Sequence, residues 1–361
     1  MLKGFPKAMK VVVGVFAAIL IGEAVFAIVS GEQQKATVAV EQQAPKVEPL
    51  KVAGLALEAG GAPVVFRGVS FGWHNLWPRF YNSEAVCNLN SDWGSPIFRA
   101  SIGADTLHEN GNQPGYLDDP ESALKCLFAV VDGAVSCGAY VIVDWHSHLI
   151  HTEEAKAFFT AVAERYKGVP NVIYELFNEP VCRSFEAEHS YADLGNQEAM
   201  EAYWMDLKAY AEELIGVITS IDDSEPLILM GCPCWDQRID LPAAKPVEGY
   251  SNLMYTVHFY AATHKDSLRE ASDAALAAGL PIFISECAAC EATGDGPMDA
   301  ESWQAWTDWA TERGISMLTW SISDKAETCS MFTPEASSEG PWADEVTKPW
   351  GKIVKDWLKN E

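Results

Sequence analysis

Eight short apolar runs, separated by longer amphipathic stretches, constrain the fold of this chain more than any other feature. Stretches such as 121–138, 153–168 and 196–218 repeat apolar residues every three or four positions, which predicts helices. The apolar runs between such stretches predict strands, at residues 63–70, 96–100, 140–145, 171–176, 226–230, 253–259, 281–285 and 316–320. Almost continuously apolar strands that alternate with helices indicate a parallel sheet buried on both faces. Eight such units predict an α/β fold, a single (β/α)8 TIM barrel, rather than an open doubly wound sheet.

The first thirty residues have the pattern of a secretory signal. A segment with three lysines precedes an apolar run at 11–22, and small residues follow at 25–27, which predicts cleavage after Ala27. Residues 11–29 could instead remain as an anchor that ends at about residue 30, although Glu23 is costly in hydrocarbon. We therefore expect a secreted, periplasmic or cell-envelope protein, with a membrane tether if the segment is not cleaved.

The composition separates a spacer from the barrel and excludes some partners. Residues 28–50 are rich in Gln, Glu, Ala and Pro without periodicity, which predicts a flexible spacer before a barrel domain at 51–361. The chain has 51 acidic and 25 basic residues, and the resulting net charge of -26 would repel phosphate backbones. We expect no nucleic-acid partner, and we expect a monomer.

Polar and aromatic residues follow the predicted strands, where the ends of parallel strands meet on one rim of a barrel. Two of them are carboxylates on separate strands, Glu179 and Glu286. Glycoside hydrolysis requires such a pair, because one carboxyl donates a proton to the leaving oxygen while the other stays ionised. A lone glutamate after a strand is more often a surface residue. The rim as a whole favours a carbohydrate enzyme, since indole faces cover sugar rings and the chain has 13 tryptophans.

Several segments resemble those of glycoside hydrolase family 5, the cellulase family, and in particular its bacterial endoglucanases. The resemblance extends over about residues 55–358 and keeps the same order along the chain. Its segments are RGVSFGWHNLWPRFYN (67–82), YVIVDWHSH (140–148), NVIYELFNEP (171–180), YTVHFYAATH (255–264), PIFISE (281–286) and WSISDKAET (320–328).

The resemblance implies a retaining endo-β-1,4-glucanase that acts on cellulose or related β-glucans. Glu179 is then the general acid/base and Glu286 the nucleophile. Asn178 is expected to bind the 2-hydroxyl of the sugar at the cleavage point. Arg99 and Tyr260 are expected to hold Glu286 ionised and oriented. The two histidines expected to line the cleft are His146 and His258, the second of them near the acid/base.

The resemblance also implies the residues that bind substrate. Trp320 is expected to form a sugar platform and to precede a cis peptide bond. The other expected substrate contacts are Trp235, Gln237, Lys325, Glu327, His148, Trp73 and Trp77. No cofactor is expected and no metal, since the motif of His146 and His148 has no third ligand. The alternatives are a β-mannanase, a xyloglucanase or a mixed-linkage glucanase on the same scaffold, or a noncatalytic glycan-binding barrel tethered to the envelope.

The chain departs from the family beside the predicted nucleophile. The family has an aromatic residue and a glycine there, whereas this chain has Cys287-Ala288-Ala289-Cys290, and the loop at 231–235 contributes two more of its nine cysteines. Three interpretations stay open. The thiols could be small buried side chains, they could form a disulfide between the two loops or within 287–290, or four thiolates could hold structural zinc, although CxC fits zinc poorly.

Overall fold

The computed structural model describes residues 46–108, 111–187 and 190–360. The predicted signal and most of the predicted spacer lie outside these ranges. Leu50, the last residue assigned to the spacer, is buried and begins the first strand. Strands β1 (Leu50–Ala53), β2 (Ala56–Ala59) and β3 (Ala62–Pro63) form a small antiparallel sheet, which the strand pattern did not predict.

A closed barrel of parallel strands follows, as predicted. Its strands are β4 (Arg67–Phe71), β5 (Ile97–Gly103), β6 (Tyr140–His146), β7 (Val172–Glu175), β8 (Ile228–Met230), β9 (Leu253–Thr256), β10 (Phe259–Tyr260), β11 (Ile282–Ala288) and β12 (Met317–Ile322). They pair in the order β10-β11-β12-β4-β5-β6-β7-β8-β9, and the additional pairing of β9 with β11 closes the sheet. β9 and β10 share one barrel position, so the barrel has eight. The predicted strand at 63–70 begins only at Arg67, because Ala62 and Pro63 pair with β2.

Helices cover the outside of the barrel. They are α1 (Ser83–Asn88), α2 (Pro120–Cys137), α3 (Thr152–Tyr166), α4 (Gln197–Ile221), α6 (Asp240–Ala244), α7 (Asp266–Ala277), α8 (Ala300–Arg313) and α9 (Pro349–Lys359). The short segment labelled α5 (Pro233–Asp236), which follows β8, is a turn whose inner residues have positive φ values. The sequence marks the ends of α2 clearly. Asp119 accepts a hydrogen bond from the Ser122 backbone at its start, and Gly138 has a φ of 72° at its end. Within the described residues, no helix has the length and apolarity needed to cross a membrane.

The inner face of the barrel changes from apolar to charged along the strands. Near the strand starts, inward side chains such as Ile97, Ile142 and Ile173 join a buried cluster that includes Leu50 and Leu57 of the small sheet. Because strand side chains alternate, the next inward positions lie two residues further on. Those positions are occupied by Arg99, Asp144 and Glu175, all fully buried. A layer of charged side chains therefore lies between the apolar half of the interior and the C-terminal rim.

Candidate active site

A cleft with a volume of about 630 Å³ opens at the C-terminal ends of the barrel strands. It collects most of the residues that were predicted from separate segments of the chain. Those that line it are Glu179, Glu286, His146, His258, Tyr260, Trp320, Trp235, Gln237, Lys325, Glu327, His148, Trp73 and Trp77. Two predicted residues, Arg99 and Asn178, lie behind this lining and are buried. The cleft also includes residues that were not predicted, among them Leu107, Cys234 and His264.

The two predicted catalytic glutamates face each other across this cleft. Glu179 follows β7, and Glu286 lies within β11. Their carboxylate oxygens come within 4.8 Å of each other. Retaining glycosidases separate their two carboxyl groups by about 5–5.5 Å, whereas inverting enzymes need about 6.5–9.5 Å to admit a water. The observed separation therefore fits direct attack by one of the carboxylates.

Glu286 is held by two donors, one at each carboxylate oxygen. The Tyr260 hydroxyl donates to Oε1 at 2.7 Å, and Arg99 Nη1 donates to Oε2 at 2.9 Å. Both donors favour the ionised form of the carboxyl group and fix its direction. The support that the resemblance implied for Glu286 is therefore present as direct hydrogen bonds.

Glu179 has different surroundings. Its Oε1 lies 2.9 Å from Nδ1 of His258, and its backbone oxygen lies 2.9 Å from Nδ1 of His148. Asn178 precedes it, and its Oδ1 accepts a hydrogen bond from Arg99 Nη2 at 2.6 Å. The Asn178 side chain is thereby oriented with its oxygen toward Arg99, which leaves the amide nitrogen as the group available to a ligand.

Arg99 is the centre of a buried polar network. Its Nε donates to Glu175 Oε2 at 2.7 Å, and its Nη2 lies 3.2 Å from Glu175 Oε1 and 3.0 Å from Asp144 Oδ2. Burial alone would lower the pKa of Arg99, but Asp144, Glu175 and Glu286 raise it well above its ordinary value. A single guanidinium is thus the shared ion-pair partner of three largely buried carboxyl groups.

The environment distinguishes the two glutamates electrostatically. Burial raises the pKa of Glu179, and the pKa of Glu286 is raised by burial and then by Glu179. At Glu286, His258, Arg99 and Tyr260 oppose that rise, and at Glu179 it is opposed by His148, Arg99 and His264. The direct partner of Glu179 is the imidazole of His258, whose own pKa falls to about 4 through burial. Because Glu286 accepts hydrogen bonds from Arg99 and Tyr260 at its two oxygens, we expect a proton shared between the two carboxyl groups to reside on Glu179.

Aromatic rings form the walls of the cleft. The ring of Trp320 lies parallel to that of His146, with centroids 5.4 Å apart and planes within 4°. Trp73 meets the same histidine edge-on at 4.2 Å. The peptide bond between Trp320 and Ser321 is cis, as the resemblance implied. At the outer end of the cleft, Lys325 Nζ forms an ion pair of 3.0 Å with Glu327 Oε2.

Polar residues behind the cleft lining were also not predicted as functional, among them Asp144, Glu175 and Ser285. Asp144 Oδ2 lies 2.6 Å from His146 Nδ1, and Ser285 donates to Glu175 Oε1 at 2.6 Å. The sequence does contain a signal for them. A carboxylate within an otherwise apolar strand, as at Glu175 in NVIYEL, is expensive to bury unless it has a partner.

The triad of Glu179, His258 and Glu286 offers three atoms that could bind a metal ion. These atoms are already engaged with each other or with protein donors. Arg99 and Tyr260 bind Glu286, and His258 uses its second nitrogen on Ser285 at 2.8 Å. The group is explained by carboxylate chemistry, and the absence of a metal stays a prediction.

Of the cysteines beside the site, Cys232, Cys287 and Cys290 are buried, whereas Cys234 is partly buried and lines the cleft. All nine cysteines lie in the described part of the chain, and none forms a disulfide. Cys287 points its thiol at the Leu318 backbone oxygen at 3.2 Å, and Cys232 lies near that of Thr256 at 3.9 Å. Among the described residues, no group of cysteines is close enough to hold a metal ion. The disulfide and zinc interpretations are therefore wrong for this structure, and burial raises the pKa of Cys287 further above neutrality.

We expect all nine thiols to react with a disulfide reagent in denaturant without prior reduction, because every cysteine is unpaired. The measurement is a thiol titration on protein purified without reductant. A count below nine that rises to nine after reduction would contradict the structure. In that case the first pair to examine is Cys290 and Cys329, whose thiols are in hydrogen-bonding contact.

Among enzymes built on parallel barrels, paired carboxyl groups at this separation mark glycoside hydrolases, and the present chain is of that class. The family model described as cellulase (glycosyl hydrolase family 5) matches residues 57–326. Since that range covers most of the chain, the protein belongs to glycoside hydrolase family 5.

Similar proteins support this assignment. Endoglucanase Z of Dickeya dadantii is 34% identical over 317 residues, which are 86% of this chain and 67% of that protein. An endoglucanase of Clostridium saccharobutylicum is 32% identical over 85% of this chain and 64% of its own length. Endoglucanase A of Evansella cellulosilytica is 33% identical over 83% of this chain and 57% of its own length. The chain thus spans about three fifths of the length of these relatives.

Solved structures match over almost their whole length. The catalytic domain of Thermobifida fusca endoglucanase Cel5A (E5) superimposes with a TM-score of 0.72 and 29% identity, covering 86% of this chain and 97% of that one. A structure from Cytophaga hutchinsonii gives a TM-score of 0.76 and 34% identity, covering 89% of this chain and 96% of that one. The region shared with the longer relatives is therefore equivalent to an isolated catalytic domain.

Proposed function

We propose that this protein is a retaining endo-β-1,4-glucanase that hydrolyses internal bonds of cellulose or related β-glucans. The observation that carries the proposal is the approach of the Glu179 and Glu286 carboxylates to within 4.8 Å, with Arg99 and Tyr260 donating hydrogen bonds to Glu286 and burial raising the pKa of Glu179. Relatives named endoglucanase at 32–34% identity support the substrate class. The Thermobifida fusca catalytic domain, which has this fold, has a structure in complex with cellotetraose.

The proposed reaction proceeds in two displacements. Glu286 attacks the anomeric carbon while Glu179 donates its proton to the departing glycosidic oxygen, which gives a covalent glycosyl-enzyme. Glu179, now ionised, then removes a proton from water, and that water displaces Glu286 with overall retention. Asn178 would donate from its amide nitrogen to the sugar 2-hydroxyl, because its oxygen is held by Arg99.

The strand order suggests which part of the cleft binds which part of the glucan. The nucleophile strand β11 pairs with β12, and the loop after β12 carries Lys325 and Glu327. The acid/base follows β7, which pairs with β8, and the loop after β8 carries Trp235 and Gln237. We therefore assign the first pair, with the Trp320 platform, to the sugar that is attacked. The second pair belongs to the leaving chain.

The substrate class is tested by comparing initial rates on carboxymethylcellulose, mannan and xyloglucan at equal mass. We expect carboxymethylcellulose to be cleaved fastest, and proton NMR of cello-oligosaccharide hydrolysis to show the β-anomer first. Faster cleavage of mannan or xyloglucan would reject the substrate assignment. An α-anomer as the first product would reject the retaining mechanism.

The loss of kcat/KM caused by replacing the acid/base should depend strongly on the leaving group. We expect Glu179→Ala to lower kcat/KM on cello-oligosaccharides by about 10²–10⁴-fold, because a sugar alkoxide leaves poorly without a proton. On 2,4-dinitrophenyl cellobioside, whose leaving group needs no proton, kcat/KM should fall by less than about tenfold. Equal losses on both substrates would show that Glu179 is not the acid.

Removal of the Tyr260 hydroxyl should move the acidic side of the pH profile. That hydroxyl donates to Glu286 at 2.7 Å and so favours the ionised nucleophile. In Tyr260→Phe the pKa of Glu286 rises, so activity is lost at a higher pH as the solution is acidified. We expect a shift of about 0.5–1 pH unit in the acidic limb of kcat/KM, with the alkaline limb unchanged. Tyr250→Phe, outside the cleft, is the matched control.

We also propose that the protein acts outside the cytoplasm as a monomer, with a soluble polysaccharide as substrate and no nucleic-acid partner. The signal-like pattern of residues 1–27 and the net charge of -26 support this location and these partners. N-terminal sequencing of the exported protein tests cleavage after Ala27. Recovery of Lys10 in the exported protein would favour the membrane-anchored alternative. Light scattering tests the monomer.

A further inference from the structure

The donors and acceptors around His258 determine where its proton lies. Both oxygens of Glu175 accept hydrogen bonds from Arg99, so the Ser285 hydroxyl must be the donor in its 2.6 Å contact with Glu175. The single hydrogen of Ser285 is then used. Its oxygen can therefore only accept from His258 Nε2, which lies 2.8 Å away.

The other neighbour of this nitrogen is also an acceptor, because the same Asp236 oxygen accepts a hydrogen bond from the Thr256 hydroxyl at 2.5 Å. Asp236 Oδ2 lies 3.3 Å from His258 Nε2, at the end of a turn in which Cys234, Trp235 and Asp236 all have positive φ values near 60°. The backbone of Cys232 donates to Asp236 Oδ1 at 2.7 Å and fixes that side chain. Two acceptors at Nε2 require the hydrogen of a neutral imidazole to be on that nitrogen.

Nδ1 of a neutral His258 then carries a lone pair, and that lone pair faces Glu179 Oε1 at 2.9 Å. A short contact between a lone pair and a carboxyl oxygen is a hydrogen bond only if the carboxyl is protonated. We propose that Ser285 is a positioning residue that orders a one-way chain of hydrogen bonds, from Glu179 through His258 and Ser285 to Glu175. The chain keeps Glu179 protonated for the first displacement.

The same chain assists the second displacement. After Glu179 has lost its proton, its carboxylate faces the Nδ1 lone pair of His258, and this repulsion increases the tendency of Glu179 to take a proton from water. This inference rests on the proposed function, because it assigns Glu179 as acid/base. The titratable and charged groups that face the pair are Arg99 from β5, Asp144 and His146 from β6, His148 after β6, Glu175 from β7, Asp236 from α5, Tyr260 from β10, His264 after β10 and Glu286 from β11. Of these, Glu175 is the one hydrogen bonded to Ser285.

The test is the pH profile of Ser285→Ala. Without the serine, Nε2 faces the carboxyl groups of Asp236 at 3.3 Å and Glu175 at 3.9 Å, which favour a proton on both ring nitrogens and hence an ionised Glu179. We expect the alkaline limb of the kcat/KM profile on cello-oligosaccharides to shift to lower pH by about one unit. Above neutral pH, kcat/KM should therefore fall about tenfold. Activity on 2,4-dinitrophenyl cellobioside should change by less than about twofold. Ser285→Thr keeps the hydroxyl, so its alkaline limb should lie at the wild-type pH.

Ser70→Ala is the matched control, since Ser70 is equally buried in the barrel and bonds to Ser101 and the Phe71 backbone. An unchanged alkaline limb in Ser285→Ala, or equal losses on both substrates, would overturn the inference. If that variant does not fold, nitrogen NMR of labelled wild-type protein decides, because an Nδ1-protonated or doubly protonated His258 near neutral pH contradicts the chain. Glu179→Ala without leaving-group dependence would instead overturn the proposed function itself.

Discussion

Glu286→Ala is expected to lower kcat on cello-oligosaccharides by at least about 10⁴-fold, while the protein stays folded. Glu286 is the carboxylate that accepts hydrogen bonds from both Arg99 and Tyr260, within 4.8 Å of Glu179. Removing it eliminates the covalent intermediate, and no other carboxylate lines the cleft at that position. The shortened side chain also leaves room for a small anion in place of the carboxylate.

That room provides a sharper test than activity loss alone. Addition of azide should restore turnover of 2,4-dinitrophenyl cellobioside by Glu286→Ala and give a glycosyl azide with the α configuration, because the anion attacks from the side that Glu286 occupied. Glu301→Ala, an exposed glutamate on α8, is the control and should retain wild-type activity. Wild-type activity of Glu286→Ala, or azide products of β configuration, would refute the nucleophile assignment.

The fold was predictable because each barrel strand carries its own local signal. All eight apolar runs correspond to barrel positions, since strands buried on both faces must be apolar almost throughout. The sheet of β1, β2 and β3 was not predicted, because its strands have two to four residues and only partly apolar sequences. Leu50 and Leu57 become buried only because the sheet packs at the strand starts of the barrel. That burial is a property of the assembled fold.

The candidate site was predictable at the rim and not beneath it. Residues after a strand, such as Glu179, are delivered to one edge by topology, so their convergence follows from the strand order alone. Which face of a strand points inward does not follow from an apolar run, because both faces are buried. The roles of Asp144, Glu175 and Ser285 therefore emerged only from their contacts with Arg99 and His258.

Arg99 connects the stability of the barrel to its chemistry. It is fully buried and contacts Asp144, Glu175 and Glu286, with one guanidinium facing three carboxyl groups. The layer has fewer cations than acids, and burial raises the pKa of Asp144 well above its ordinary value. Such an arrangement is a poor source of net stability compared with apolar packing, but it becomes very unfavourable when its one cation is removed.

We therefore expect Arg99→Met to lower the free energy of unfolding by about 3–5 kcal/mol and to abolish measurable activity. Methionine fills similar space without charge, so Asp144 and Glu286 keep their burial and lose their counterion. Their pKa values then rise further in the folded state. The folded variant binds more protons than its unfolded chain above about pH 4, so its stability falls as the pH rises.

The decisive measurement is urea unfolding of wild type and variant at pH 5 and pH 8, with tryptophan fluorescence as the signal that reports unfolding. The loss of stability should be larger at pH 8. Arg183→Met removes an exposed ion pair with Asp206 and is the control, with an expected change below about 1 kcal/mol and little dependence on pH. A pH-independent loss in Arg99→Met would indicate a packing defect. Stability equal to wild type would mean that the three buried acids do not depend on Arg99 for their charge. It would also remove one of the two reasons for assigning the ionised nucleophile to Glu286, the other being the Tyr260 hydroxyl.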